Sequence, residues 1–166
     1  LDGRSVAGDW HPFDAAGGAV RVWLPPGAAM TEADGVAWWS PDAELGAFSV
    51  LSGDAGDGDG DALLAAEGEG AEVEVERDER SERGGLPVRR LRYRTRRETP
   101  RVVIARGAAG RLHVGGEMER RLADLLLVTA GGRLVRVGYT VRDDAPAPMR
   151  EDFAEALERV RLGSEP

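Results

Sequence analysis

The sequence predicts an α+β domain built on antiparallel strands, and three observations carry that prediction. "AEVEVER" and "LPVRRLRYRTRR" alternate with period two, as half-buried strands do. "LADLLLVTA" and "RLVRVGYTV" flank Gly131-Gly132, the signature of a tight hairpin. Near the end of the chain, Met149, Phe153, Leu157 and Val160 share one face of a helix over residues 148–162, with Gly163 as its stop.

Taken in order, residues 1–18 are rich in Gly and Asp without periodicity and are expected as a loosely ordered lead-in. Residues 19–24 read as a strand ended by Pro25 and Pro26, which cannot donate to a ladder. "VAWWS" and "GAFSVLSG" are two more strands, and "SPDAELG" between them holds the Pro, Asp and Gly of a turn. The three strands together are expected to form a meander with Trp23 and either Trp38 or Trp39 facing inward. Adjacent residues of a strand point to opposite faces, so the other tryptophan packs under a helix or is exposed.

Residues 53–60 form an acidic stretch, expected as a flexible, self-repelling loop, and "DALLAAE" supplies one or two helical turns. Between the two alternating strands, "DERSERGG" reads as a polar connection with a Gly-Gly turn. The segment 98–121 fits no single element. "RVVIARG" suits a strand, and "GAAGRLHVGGEMERR" holds too much Gly for a helix. It is expected as an insertion. "DDAPAP" then breaks the sheet before the closing helix.

At 166 residues the chain is expected to be one domain, 1–166. With 42% hydrophobic and 31% charged residues it reads as globular and soluble. Its apolar runs are too short to span a bilayer, so no integral membrane segment is expected. The start at Leu1 points to removal of a leader or a longer N-terminal region, and leaves open a cytoplasmic or an extracytoplasmic location. Cys, Lys, Asn and Gln are absent. That excludes thiol nucleophiles, disulfides and thiolate metal sites, and also Schiff-base and phosphate-loop lysines. The net charge is −8 but unevenly spread. Residues 1–76 hold 16 acids against two arginines, whereas 77–111 hold 12 arginines against four acids. Such asymmetry marks a basic patch or two segments that meet in the fold.

Asp57, Asp59 and Asp61 resemble the start of a calcium loop. In an EF-hand register, however, Ala62 stands where Gly is needed and Gly68 where the bidentate Glu belongs, with Glu67 one place early. Calcium is not expected. Arg90, Arg92, Arg94 and Arg96 lie on one face of a strand and could contact phosphates. Glu72, Glu74 and Glu76 lie on one face of the neighbouring strand, so a self-neutralising hairpin is expected, with Glu74 opposite Arg94 or Arg96, and no nucleic acid. His113 and Glu117 have helical ligand spacing, but Gly115 and Gly116 intervene, and His11 is remote in sequence; no metal site follows. Ser5 lacks the glycine of a nucleophile elbow, and "ARGAAGR" lacks phosphate-loop spacing. No catalytic residue, metal or cofactor is expected.

The order of elements resembles one family. "VRVWLPPG", the final hairpin "ADLLLVTAGGRLVRVGYTV", "DDAPAP" and the closing "REDFAEALERVRL" are similar to the PsbP-like family, which includes the Mog proteins and a photosystem extrinsic protein. The likeness lies over 19–27 and 122–163. It implies a single antiparallel β-sheet flanked by helices, an α/β/α sandwich. It implies no enzyme, but a docking or accessory module for a protein partner, associated with the envelope or with secretion; no residue set carries over. The alternative that it leaves is a small-molecule or lipid-binding domain with a pocket between the sheet and the C-terminal helix, lined from "WWSP" and "DLLLVTA". Trp38 and Trp39 are the candidate partner or ligand contacts. The Arg-only, Asp- and Gly-rich composition resembles that of actinobacterial proteins.

Overall fold

The structure is a computed structural model that describes residues 9–54, 60–104 and 112–163. Asp57 and Asp59 of the acidic loop lie outside them. In chain order the elements are β1 (His11–Ala15), a 3-10 turn (Ala16–Gly18), β2 (Val20–Leu24), β3 (Thr31–Ala33), β4 (Val36–Trp39), β5 (Gly46–Asp54) and α1 (Gly60–Gly68). There follow β6 (Glu72–Arg83), β7 (Leu86–Ile104), β8 (Leu112–Ala130), β9 (Arg133–Arg142), α2 (Ala147–Arg159) and β10 (Arg161–Leu162).

Among the described residues these strands make two sheets. One has seven strands in the order β3-β4-β5-β9-β8-β7-β6, and the other three in the order β1-β2-β10. Every pairing is antiparallel. This corrects the expected fold class. The molecule is not a single sheet flanked by helices in an α/β/α sandwich; it is mostly β, in two sheets, with two α-helices among the described residues. The cause is the partnering of β2. It pairs with β1, Ala15 opposite Val20, and with the chain after α2, Leu162 opposite Val20. The strand expected to start the meander thus centres a second sheet, and β3 takes its place beside β4. β1 has the sequence HPFDA and only Ala15 buried; it is a strand because β2 offers it a ladder.

The return of the chain to β2 also ends α2 early. The helix stops at Arg159, and Val160 takes extended dihedrals (φ −55°, ψ 134°). The N–H of Gly163 then donates to the carbonyl of Ala19 at 2.7 Å. In the central hairpin, β8 and β9 meet at Gly131 and Gly132, whose φ values of 57° and 78° are the left-handed pair that a tight turn demands. β6 and β7 turn at Gly84-Gly85. The stretch "DERSER", expected as a connection, continues β6 instead, with Arg83 opposite Leu86.

The seven-stranded sheet buries both faces unequally. Inward lie Trp39, Phe48, Val50, Val135, Val137, Tyr139 and Val141, under Met149, Phe153 and Leu157 of α2 and Val20, Val22 and Leu24 of β2. Phe153 is fully buried, its ring 4.9 Å from that of Trp39 and 5.6 Å from that of Tyr139. Such tilted and offset pairs add about 0.5–1.5 kcal/mol each beyond the burial of apolar area. On the opposite face Leu91, Tyr93, Ala123, Leu125 and Leu127 are buried, with Leu63 and Leu64 of α1 packed on them. No helix among the described residues is long and apolar enough to cross a membrane.

Candidate functional site

The two adjacent tryptophans of β4 are separated by the pleat. Trp39 faces the core at 4% exposure, whereas Trp38 faces outward at 36%. Trp38 stands opposite Thr31 on one side and Ser49 on the other. The row continues through Gly138 on β9 to Leu125 on β8. Ala47, Ser49 and Thr140, all half-buried, are small. Gly138 is smaller still for a backbone reason. At φ +157° a Cβ there would collide with the Asp124 carbonyl oxygen and lie 2.8 Å from the Leu125 Cα, so only glycine lets β8 and β9 approach this closely. Leu63 and Leu64 of α1 pack over the β7–β8 side of this face. On the β4–β5–β9 side of this face the row through Trp38 is small, and the next row holds Val36, Leu51 and Arg136.

Trp39 belongs to the interior. Its ring contacts those of Phe48 and Phe153, and its buried Nε1 has no hydrogen-bond partner among the described residues. The space between the sheet and α2, where the alternative reading puts a ligand pocket, is filled by this aromatic cluster together with Met149, Leu157 and Val137. An open cleft of about 550 Å³ lies elsewhere, between the 3-10 turn and the β3–β4 hairpin, with Glu32, Asp34, Ser52 and Arg133 on its walls.

The basic strand finds its counter-charges within the chain. Glu74 stands opposite Arg94, and a bulge between Val75 and Arg77 brings Glu76 to both Arg92 and Arg94. Arg94 also reaches Asp143 at 3.0 Å. On the other face Arg89 bridges Asp78 at 2.8 Å and Asp61 of α1 at 3.0 Å, and those two carboxylates hold its guanidinium above its ordinary pKa. Asp61, a candidate calcium ligand in the sequence, is therefore a helix residue paired to a strand. The acids of the first half of the chain meet the arginines of the second.

One group was not singled out from sequence. Asp124 is 3% exposed and accepts two hydrogen bonds from Arg90, at 2.8 and 3.0 Å. Arg90 also reaches Glu158 of α2 at 3.3 Å. Burial opposes the charge of Arg90, and its bonds to the Asp124 carboxylate outweigh that, so its pKa is raised. The cluster ties β7, β8 and α2 together. Removing one member of such a buried pair costs roughly 3–5 kcal/mol. Its signal was the lone Asp inside the apolar run "LADLLLVTA", at the same strand phase as Leu122 and Leu126. His11 is exposed on β1, and His113 stands in β8 opposite Val103, so "HVGGE" is strand and not helix.

Neither a family model nor a curated protein matches the sequence. Solved structures do resemble the fold. The solution structure of cyanobacterial PsbP (CyanoP) from Synechocystis aligns over 92% of each chain at a TM-score of 0.53 and 14% identity. A structure from Bacteroides thetaiotaomicron aligns over 91% of this chain and 47% of its own at a TM-score of 0.38 and 12% identity, too remote to bear on the argument. The fold is PsbP-like. The expected resemblance holds at the level of architecture.

Proposed function

We propose that this chain is a non-catalytic accessory module that docks a protein partner through the sheet face around Trp38. The observation that carries this reading is the division of the tryptophan pair, one in the core at 4% exposure and one exposed at 36%. A large, rigid, exposed aromatic beside an arginine is the kind of group that anchors interfaces. The PsbP-like fold supports an accessory role, and the filled space beneath α2 argues against a ligand chamber there. The partner contributes an apolar side chain to the indole, and we place the complex in the envelope or a secretion-associated assembly.

A photo-crosslinking phenylalanine derivative placed at Trp38 tests this in the source cell. The expected result is one dominant cross-linked protein that is absent when the probe sits at Glu82 on β6, with the complex recovered from the extracytoplasmic fraction. Equal labelling from both positions, or capture by unlabelled protein that Trp38→Ala leaves unchanged, would remove this surface from consideration.

A further inference from the structure

Among the described residues, one half-buried arginine stands apart from the others. Arg89, Arg90, Arg92, Arg94, Arg121 and Arg142 each pair with a carboxylate, and Arg83 donates to the Val160 carbonyl at 3.0 Å. Arg136 of β9 is half-buried as well, yet it has neither an ion pair nor a hydrogen bond among the described residues.

Its place in the sheet explains why. Val135 and Val137 point into the core, so Arg136 between them points to the outer face, the side of Trp38. Leu51 of β5 stands opposite it on one side and Leu127 of β8 on the other. Neither neighbouring strand offers the opposite charge that would match it. The outward positions nearby on β4, β5 and β9 hold Val36, Trp38, Ser49, Gly138 and Thr140, none of them an acid. Glu67 of α1 acts electrostatically on Tyr93, as Arg136 does, but it pairs with Arg97 at 3.9 Å. A guanidinium that has lost part of its hydration without gaining an acceptor is unfavourable for the isolated fold. The chain carries 30 acids against 22 arginines, so carboxylates are not scarce; none is set here.

We propose that Arg136 binds a carboxylate of the protein partner that Trp38 anchors, so that the docking segment of the partner presents an acid together with an apolar side chain. This rests on the docking role of Trp38 and adds the chemistry of what docks. From the spacing of strands and residues in a sheet, the Cα atoms of Trp38 and Arg136 lie about 12 Å apart. An extended segment covers that distance in about three or four residues. One such cation is too few to hold a phosphate backbone. It suits a single carboxylate beside an aromatic anchor, and Trp and Arg are enriched among the residues that dominate interfaces.

A first measurement is made on the chain alone. Arg136→Met keeps an unbranched stem and removes the charge between Leu51 and Leu127, so the melting temperature should rise by about 2–4 °C. With the cross-linking probe at Trp38, adding Arg136→Met should weaken the dominant product about tenfold or more. Mass spectrometry should place the cross-link in a segment of the partner that holds Asp or Glu near an apolar residue. That segment, made as a fluorescein-labelled peptide, should bind the parent chain about tenfold or more tightly than Arg136→Met. Arg136→Glu should abolish binding, and lysine in place of the peptide's acid should restore it. A melting temperature lowered by Arg136→Met overturns the proposal, because the arginine would then serve the fold. So does a cross-linked segment without an acid. A product that Arg136→Met leaves undiminished overturns it while the docking role of Trp38 stands, whereas no dominant product from Trp38 removes both.

Discussion

The two faces of the seven-stranded sheet are built from the same strands and put to opposite uses. The inner face is sealed by α2 and β2 over a cluster of Trp39, Phe48, Tyr139 and Phe153. The outer face has α1 packed on its β7–β8 side, and Trp38 stands exposed on β4. Stability is concentrated where the aromatics interlock. The surface proposed for a partner is the part of the outer face away from α1. Period-two alternation makes that possible within a single dipeptide, Trp38-Trp39.

Three changes would break or sharpen this contrast. The largest effect is expected on the inner face. Phe153→Ala empties a fully buried position against two aromatic rings, and should cost about 3–5 kcal/mol, measured by urea denaturation. A loss under about 1 kcal/mol, the ordinary size of a surface change, would show that α2 is not what seals that face.

An intermediate effect involves both faces. Tyr139 on the inner face and Tyr93 on the outer are each pushed up to about 12, first of all by burial. A phenol with a raised pKa in the fold stays protonated where the unfolded chain, near 10, begins to ionise. The fold then binds more protons than the unfolded state, so stability is complete below about pH 10 and falls as the pH rises toward 12. Each tyrosine should contribute at most about 1.4 kcal/mol per pH unit over that window. Denaturation at about pH 9 and about pH 11, on either side of the unfolded value, should show the loss, and Tyr139→Phe and Tyr93→Phe should each remove part of it. Equal stability at both pH values in the parent protein would contradict the burial of these hydroxyl groups.

The smallest effect on stability is expected at Trp38. Trp38→Ala removes an exposed side chain away from α1 and should shift stability by less than about 1 kcal/mol, whereas cross-linking to a partner should be lost. A large loss of stability would instead make Trp38 a structural residue and weaken the contrast between the faces.

What was legible in the sequence was local. Alternation in 72–77 and 87–97, the Gly131-Gly132 turn and the spacing of Met149, Phe153 and Leu157 depend on a few neighbouring residues, and each became the expected strand, hairpin or helix. The neutralisation of Arg92 and Arg94 was readable too, because Glu74 and Glu76 share a hairpin with them. Tertiary structure alone decided the partners that are distant in sequence. β2 could join a meander by its own pattern, yet its ladder to β1 and to the chain after α2 placed it in a second sheet. The tryptophan dipeptide stated that its members part, but not which of them meets Phe153. Asp124 could be seen inside an apolar run, whereas Arg90 and Glu158, which make its burial tolerable, lie on a strand and a helix far from it in either direction of the chain. Sequence carries the short-range terms of the free energy in readable periods. The choice among strand partners rests on the burial of whole faces, a property that no single segment possesses.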